Sequence, residues 1–416
     1  MAASARAQNL TPVAGTQENG IKIGDGRLHP YIDLELRYDS AAVLIPTGAP
    51  STSTVPAVQP HPELEFHIRP GFTLNVPSSW ADFGLSGDAD YVRYTGILTP
   101  GDEDNSRIEG AANVNLILNR EGAVEVDLND AFSRSDHPRD PSLGVGVLAL
   151  YNIASVAVPI HPGGRALEIT PKLSYAQEFY SPISSLQAAG LGFRPSDANY
   201  RNVQGDLDAR WRFFPKTALL FTATLLDRSY PVAATNPRAD LFRAQAGIAG
   251  LLTSRIAIQA KAGWGFDFGQ STGNGFLGML EATYLFNDFT TLKGGVLRTL
   301  EPASTYGTYL DTRPYVEARA FLSGRWTVHG LASYDWLQFS SAKAVPTPSR
   351  TDTILSFDAG PELQITRWFL MSAGYILGLR HSSSATNVAG TVPGGTRQQI
   401  LNYTRHEAYL RATFTY

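Results

Sequence analysis

The chain contains no cysteine in 416 residues, which excludes a disulfide framework, a thiolate metal site and a cysteine nucleophile. Methionine is scarce at 3 residues, and charged residues reach only 17%, below the usual quarter for soluble domains. A net charge of -4 argues against a nucleic-acid partner. No run approaches the roughly 20 apolar residues that a transmembrane helix needs. A helical membrane protein is thereby excluded, whereas a barrel that crosses with strands is not. The chain also lacks a Gly-x-Ser-x-Gly elbow, a His-x-x-x-His pair and a lysine-bearing phosphate loop in its glycine-rich 269–275 stretch. The acidic run 101–105 lacks the ligand spacing of a calcium loop. The Asp136-His137 pair is considered as a hydrolytic pair at a loop tip and set aside. No catalytic, metal or cofactor site is read, and the chain is not expected to be an enzyme.

What is present is strict alternation. From the C-terminus backwards, Tyr416, Phe414, Ala412, Leu410 and Ala408 are apolar, while Thr415, Thr413, Arg411, Glu407 and Arg405 between them are polar or charged. A period of two places one face of a strand in grease and the other in water. The pattern recurs at 28–39, 63–76, 81–95, 107–119, 123–133, 146–160, 165–180, 200–214, 217–228, 240–252, 255–266, 276–286, 289–300, 313–322, 325–337, 351–365 and 368–380, giving eighteen strands with the last. Connections alternate between tight turns of about two to five residues and polar loops of about nine to twenty-three. Even strand number, short turns at one end and longer loops at the other predict an all-β fold: an antiparallel up-and-down transmembrane β-barrel in a bacterial outer membrane. Residues 28–416 form the barrel in this scheme, and 1–27 a periplasmic tail with a signal-peptide remnant. Ser4-Ala5-Arg6-Ala7 before Gln8 looks like a cleavage site, and the apolar part of a secretory signal is expected to be missing from this sequence.

The tryptophans avoid mid-strand. Trp80, Trp211, Trp326 and Trp368 lie beside tight turns, and Trp264 and Trp336 at long-loop ends. With Phe414 and Tyr416 they are the expected membrane-interface aromatics. Between the rims the outer face is Leu, Val, Ile, Ala and Gly, with charges almost absent; Arg298 and His406 fall near strand ends. The inward face carries both signs. The candidate pore-lining residues are Glu35, Arg37, Glu65, Arg69, Glu125, Asp127, Glu168, Lys172, Asp206, Asp208, Arg210, Arg212, Arg243, Lys261, Glu281, Lys293, Tyr315, Glu317, Arg319, Asp358, Glu362, Arg405, Glu407, Tyr409 and Arg411. They read either as a wall network of ion pairs or as a lumen for a polar, extended solute without strong charge selectivity. Tyr315, Phe321 and Tyr409 are the inward aromatics that a sugar track would use, and the 41–61 connection is the candidate for an inward-folded loop.

The segments Tyr-Pro-Val-Ala-Ala-Thr-Asn-Pro (230–237), Phe-Arg-Ala-Gln-Ala-Gly-Ile-Ala (242–249), Ala-Ile-Gln-Ala-Lys-Ala-Gly-Trp (257–264) and Arg-His-Glu-Ala-Tyr-Leu-Arg-Ala (405–412) are similar in style to one group. The chain resembles outer-membrane barrel porins of the beta-barrel porin 2 type. That resemblance implies a translocation pore for an exopolysaccharide or capsule chain. It implies as partners outer-membrane lipid, the barrel-assembly machinery, a polysaccharide chain in the lumen and a periplasmic co-polymerase. A passive or sugar-specific diffusion porin and a structural or adhesive barrel are the alternatives.

Overall fold

The computed structural model describes residues 20–47, 57–99, 105–120, 122–143, 147–162, 164, 166–183, 194–231, 238–287, 289–304, 307–340, 350–383 and 402–416. Nearly all of them lie in one antiparallel sheet closed on itself. A short strand, β1 (Ile21–Ile23), hairpins onto the first wall strand. The wall itself is β2 (Gly26–Thr47), β3 (Ala57–Pro77), β4 (Ala81–Tyr94), β5 (Arg107–Leu118), β6 (Val126–Ser135), β7 (Val147–Ala157), β8 (Leu167–Pro182), β9 (Tyr200–Phe214) and β10 (Thr217–Ser229). It continues through β11 (Ala239–Leu251), β12 (Ile256–Asp267), β13 (Asn274–Asn287), β14 (Thr290–Ala303), β15 (Gly307–Ser323), β16 (Trp326–Phe339), β17 (Arg350–Thr366), β18 (Phe369–Ser382) and β19 (Tyr403–Thr415). Each wall strand pairs with its chain neighbours, and β19 pairs with β2 to close a ring of eighteen. Closure satisfies every ladder position without leaving an edge, as lipid requires.

Alternation sets which face is wet. On β2, Ile32 and Leu36 point outward and are exposed, whereas Glu35 and Arg37, of the opposite parity, are buried on the lumen side. A shift of one residue would bring a whole row of charges to lipid, so register is strongly specified. The barrel is accordingly a transmembrane barrel of the outer-membrane type, with its short turns at the periplasmic end. One of those turns is shaped by Asn119, which holds a left-handed φ of 56°, a region asparagine tolerates. Its carbonyl accepts the Gly122 N–H, and its side-chain amide donates to the Val124 carbonyl at 2.7 Å.

Three sequence expectations need adjustment. The strands extend beyond the membrane-spanning stretch, so β14 and β15 are separated by only three residues rather than a long loop. The 41–61 connection is largely a continued β2–β3 ladder, with Val43 opposite His61 and Thr47 opposite Ala57 after a register shift. It is not a loop folded into the bore, and 48–56 at its tip lie outside the described residues. The signal remnant and most of the acidic 101–105 run also lie outside them. Finally, the outward face is not free of mid-strand charge, because Asp130 sits there on β6.

Candidate functional site: the bridged extracellular mouth

The fully buried apolar side chains gather at the extracellular ends of the strands. Val92 and Tyr94 end β4, Tyr200 and Ala239 begin β9 and β11, Leu300 and Ala303 end β14, and Leu337 ends β16. Tyr200 shares its cluster with Leu143, from the segment after β6. Residues 136–143 turn inward across the lumen instead of outward. Asp140 starts an Asx turn: its Oδ1 accepts the Ser142 N–H at 2.8 Å. Its Oδ2 accepts the Ser304 N–H at 2.8 Å, and the Ser142 and Ser304 hydroxyls are 2.9 Å apart. Ser304 follows β14, eight positions round the eighteen-strand ring from β6 and so almost diametrically opposite.

A second set of bonds holds the same segment to β17 and β18. Arg380 donates to the carbonyls of Leu143, at 3.1 Å, and Pro141. Arg380 is held by the Asp352 carboxylate at 2.7 Å, which also takes Arg350 at 2.5 Å and the Ser382 hydroxyl at 2.5 Å. Leu143 itself packs with Val147, Tyr180, Ala198, Tyr200 and Tyr230. On the near wall the Arg139 N–H donates to Glu178, whose other oxygen accepts the Tyr200 hydroxyl at 2.6 Å. Arg228 stacks over the Tyr200 ring at 3.7 Å and donates to the Pro302 carbonyl at 3.2 Å. Burial pushes the Tyr230 phenol above its ordinary value, against the nearby Arg228 charge.

The root of the segment is ionic. Asp136 pairs with its neighbour His137, with Arg107 at 3.2 Å and with Arg405 at 3.4 Å. Burial alone would raise its carboxyl, but His137, Arg107 and Arg405 outweigh that and hold it well below the usual carboxylate range. The pair considered as a hydrolytic dyad is therefore an anchor beneath the loop, not a solvent-facing tip.

The sequence-derived lumen residues fall into separate groups. Glu35, Arg37, Glu65, Arg69, Arg405, Glu407 and Arg411 join one network on β19, β2 and β3. In it Arg37 meets Glu407 at 2.8 Å, Arg411 meets Glu35 at 2.6 Å and Arg405 meets Glu407 at 3.3 Å. Glu65 and Asp90 flank the buried His67 at 3.1 and 3.0 Å, and Arg69 meets Asp90 at 2.5 Å. The Tyr409 ring lies 5.8 Å from the Arg37 guanidinium and 5.2 Å from that of Arg411.

Elsewhere Arg243 pairs with Glu301 at 2.7 Å, and Glu281 accepts from Lys293 at 3.2 Å and from Tyr315. Asp206 accepts from Thr224 at 2.8 Å, and Lys261 donates to Thr222 at 3.1 Å. Arg319 and Glu362 are 3.9 Å apart, His329 and Asp358 3.6 Å, and His161 and Glu168 3.6 Å. In the periplasmic turn, burial and the adjacent Asp127 raise the Glu125 carboxyl. Glu168 and Arg210, Thr170 and Asp208, and Lys172 and Asp206 are strand partners on β8–β9, with Arg212 one step further toward the periplasm. Glu317 lies opposite Lys293 and Leu331 on neighbouring strands. Phe321 packs against Phe289 at 5.8 Å, apart from Tyr315 and Tyr409, so no aromatic track forms. All six tryptophans are exposed, as is Tyr416, and Phe414 stacks on Phe369 and Trp368.

Sequence reasoning passed over Glu178, Arg228, Arg350, Asp352 and Arg380, although the inward parity that selected Asp358 and Glu362 also selects Asp352. Asp140 has only the Asp-Pro-Ser turn sequence to mark it.

No family model and no curated protein matches the chain. Solved structures do. The siderophore receptor PirA from Acinetobacter baumannii aligns over 95% of this chain and 81% of its own, at 9% identity and a TM-score of 0.49. The FrpB iron transporter from Neisseria meningitidis aligns over 97% and 83%, at 6% identity and a TM-score of 0.46. OccAB3 from Acinetobacter baumannii aligns over 95% and 100%, at 9% identity and a TM-score of 0.45. At such values no residue role is transferable. The first two are named as a receptor and a transporter rather than enzymes.

These findings correct the expected family. The beta-barrel porin 2 resemblance finds no matching family model, and the similar structures named for a cargo are siderophore and iron proteins, not polysaccharide exporters. The export-pore reading is thereby corrected, and the diffusion-porin and adhesive alternatives with it; the polysaccharide chain and co-polymerase partners find no support. The structure adds that a segment bonded to distant strands crosses the mouth of the bore. What stands is an outer-membrane barrel in its lipid, assembled as such barrels are.

Proposed function

We propose that the protein is a gated outer-membrane uptake barrel of the receptor type, which admits a small polar solute when the 136–143 segment is displaced. The observation that carries this is the bridge itself: Asp140 bonded to Ser304 across the ring and Arg380 bonded to the Leu143 carbonyl. The gate stands at the outer mouth, where an external solute arrives first, and below it the wall is lined by ion pairs and by cations such as Arg210 and Lys172 that keep water in the bore. A solute competing for Asp140 or for Arg380 releases one end of the bridge, which couples binding to admission. Only a ligand with different affinity for the bridged and released states shifts that balance.

The test is conductance of the purified protein in planar bilayers. The wild-type chain is expected to be closed most of the time, and Asp140→Ala with Arg380→Ala to open it, raising open probability at least tenfold. The double variant should also sensitise cells to large antibiotics. A wild-type barrel already conducting at the level of the variant would sink the gate.

A further inference from the structure

The outer face of β6–β8 carries a polar patch where lipid contact should be apolar. Asp130 lies in the middle of β6, on the outward face with Leu128, which is exposed. Asn152 on β7 shares that face and donates its amide to Asp130 Oδ1 at 3.1 Å. In register, Ala154 stands opposite both Asp130 and Tyr175, and Asn152 opposite Gln177 of β8. Other outward charges lie near extracellular strand ends or are internally bonded: Arg298 donates to the Phe276 carbonyl and Thr312, and His406 meets Tyr375 at 2.7 Å. Beside the patch the wall is dented by an apolar groove of about 500 Å³, lined by Phe83, Leu116, Leu128 and Leu173 among others. A carboxylate facing hydrocarbon lacks both solvation and a charge partner, so a face that keeps one is a face that protein covers.

We propose that a second copy of this chain packs against the outer face of β4–β8. The complementarity is internal to the patch. β6 offers an acceptor carboxylate, and β8, on the other side of β7, offers the Tyr175 hydroxyl and the Gln177 amide as donors. Two copies turned about a two-fold axis beside β7 bring each Asp130 to the partner's β8 donors, the self-complementarity an isologous contact needs. With strands about 4.8 Å apart and an apolar band about 25 Å tall, five strands present roughly 500–600 Å² per copy. Together the two faces reach the ~1,000 Å² expected of a genuine interface.

The absence of native cysteine makes the test direct. Ala154→Cys places a thiol in the patch, and Ala332→Cys places one on β16, nine positions round the ring. Treated with a bis-maleimide in intact outer membranes, Ala154→Cys should yield a band at twice the chain mass, and Ala332→Cys only the single chain. Adding Asp130→Leu or, separately, Gln177→Leu should cut the doubled band at least fivefold while the heat-modifiable folded band persists. The proposal is overturned by no adduct at Ala154→Cys, by equal doubling at both sites, by an adduct of any other mass, or by doubling that survives both leucine variants in folded protein.

Discussion

Asp352 shows how much a single buried carboxylate does at the mouth. It accepts from Arg350, Arg380 and Ser382 with no solvent contact, and Arg380 carries that order into the bridge. Replacing one member of such a cluster strands the rest, because a buried charge without its partner costs about 3–5 kcal/mol. Asp352→Ala is therefore expected to lower the urea midpoint of the folded barrel in vesicles and to open the pore, whereas Ser382→Ala should do neither by more than a small margin. Asp136 sets the acid limit of the anchor. Its folded-state pKa is depressed, so its stabilising contribution is complete above the unfolded carboxylate range and is lost as pH falls through the lower folded value. The bridge should persist at pH 5 and release only in strongly acid solution, and open probability recorded against pH checks this. Asp136→Asn, uncharged at every pH, should raise open probability already at neutral pH and so abolish the acid step.

Strands and loops differ in how far the sequence reveals them. Strand parity was legible because each misplaced residue meets the wrong solvent, and the alternation on β2, β12 and β19 leaves little ambiguity. Outward-facing Val316 on β15 offers a test of that face: Val316→Arg is expected to cost about 2–4 kcal/mol if the site is deep in lipid. Glu317→Gln, one residue on and facing the lumen, should change the unfolding midpoint little. The inward segment was not legible, since 136–143 has no period and its partners lie on strands far away in sequence. The 41–61 connection was chosen instead for length and composition, which do not record that β2 and β3 keep pairing beyond the membrane. Asp130 was missed for a different reason. β6 is the shortest wall strand, with 10 residues, and one polar residue does not erase its alternation.

At the scale of the whole barrel, closure depends on β19 finding β2, nearly the entire chain length away. Leu410 and Leu36 are partners in that seam. In this cysteine-free chain, Leu36→Cys with Leu410→Cys should form a disulfide after folding, visible as faster migration of the heated, unreduced chain. The pair Leu34→Cys with Leu410→Cys, two residues out of register, should form far less. The barrel architecture and its membrane were legible from alternation alone, but the cargo was not, because alternation records only which face of a strand meets lipid. The bridge between Asp140 and Ser304, 164 residues apart in sequence, can form only when the ring has its full complement of strands. One strand more or fewer would change the span between the walls and leave the loop short or slack. The segment thus works as a caliper on assembly, and a barrel closed with the wrong strand number would betray itself as a permanently leaking one.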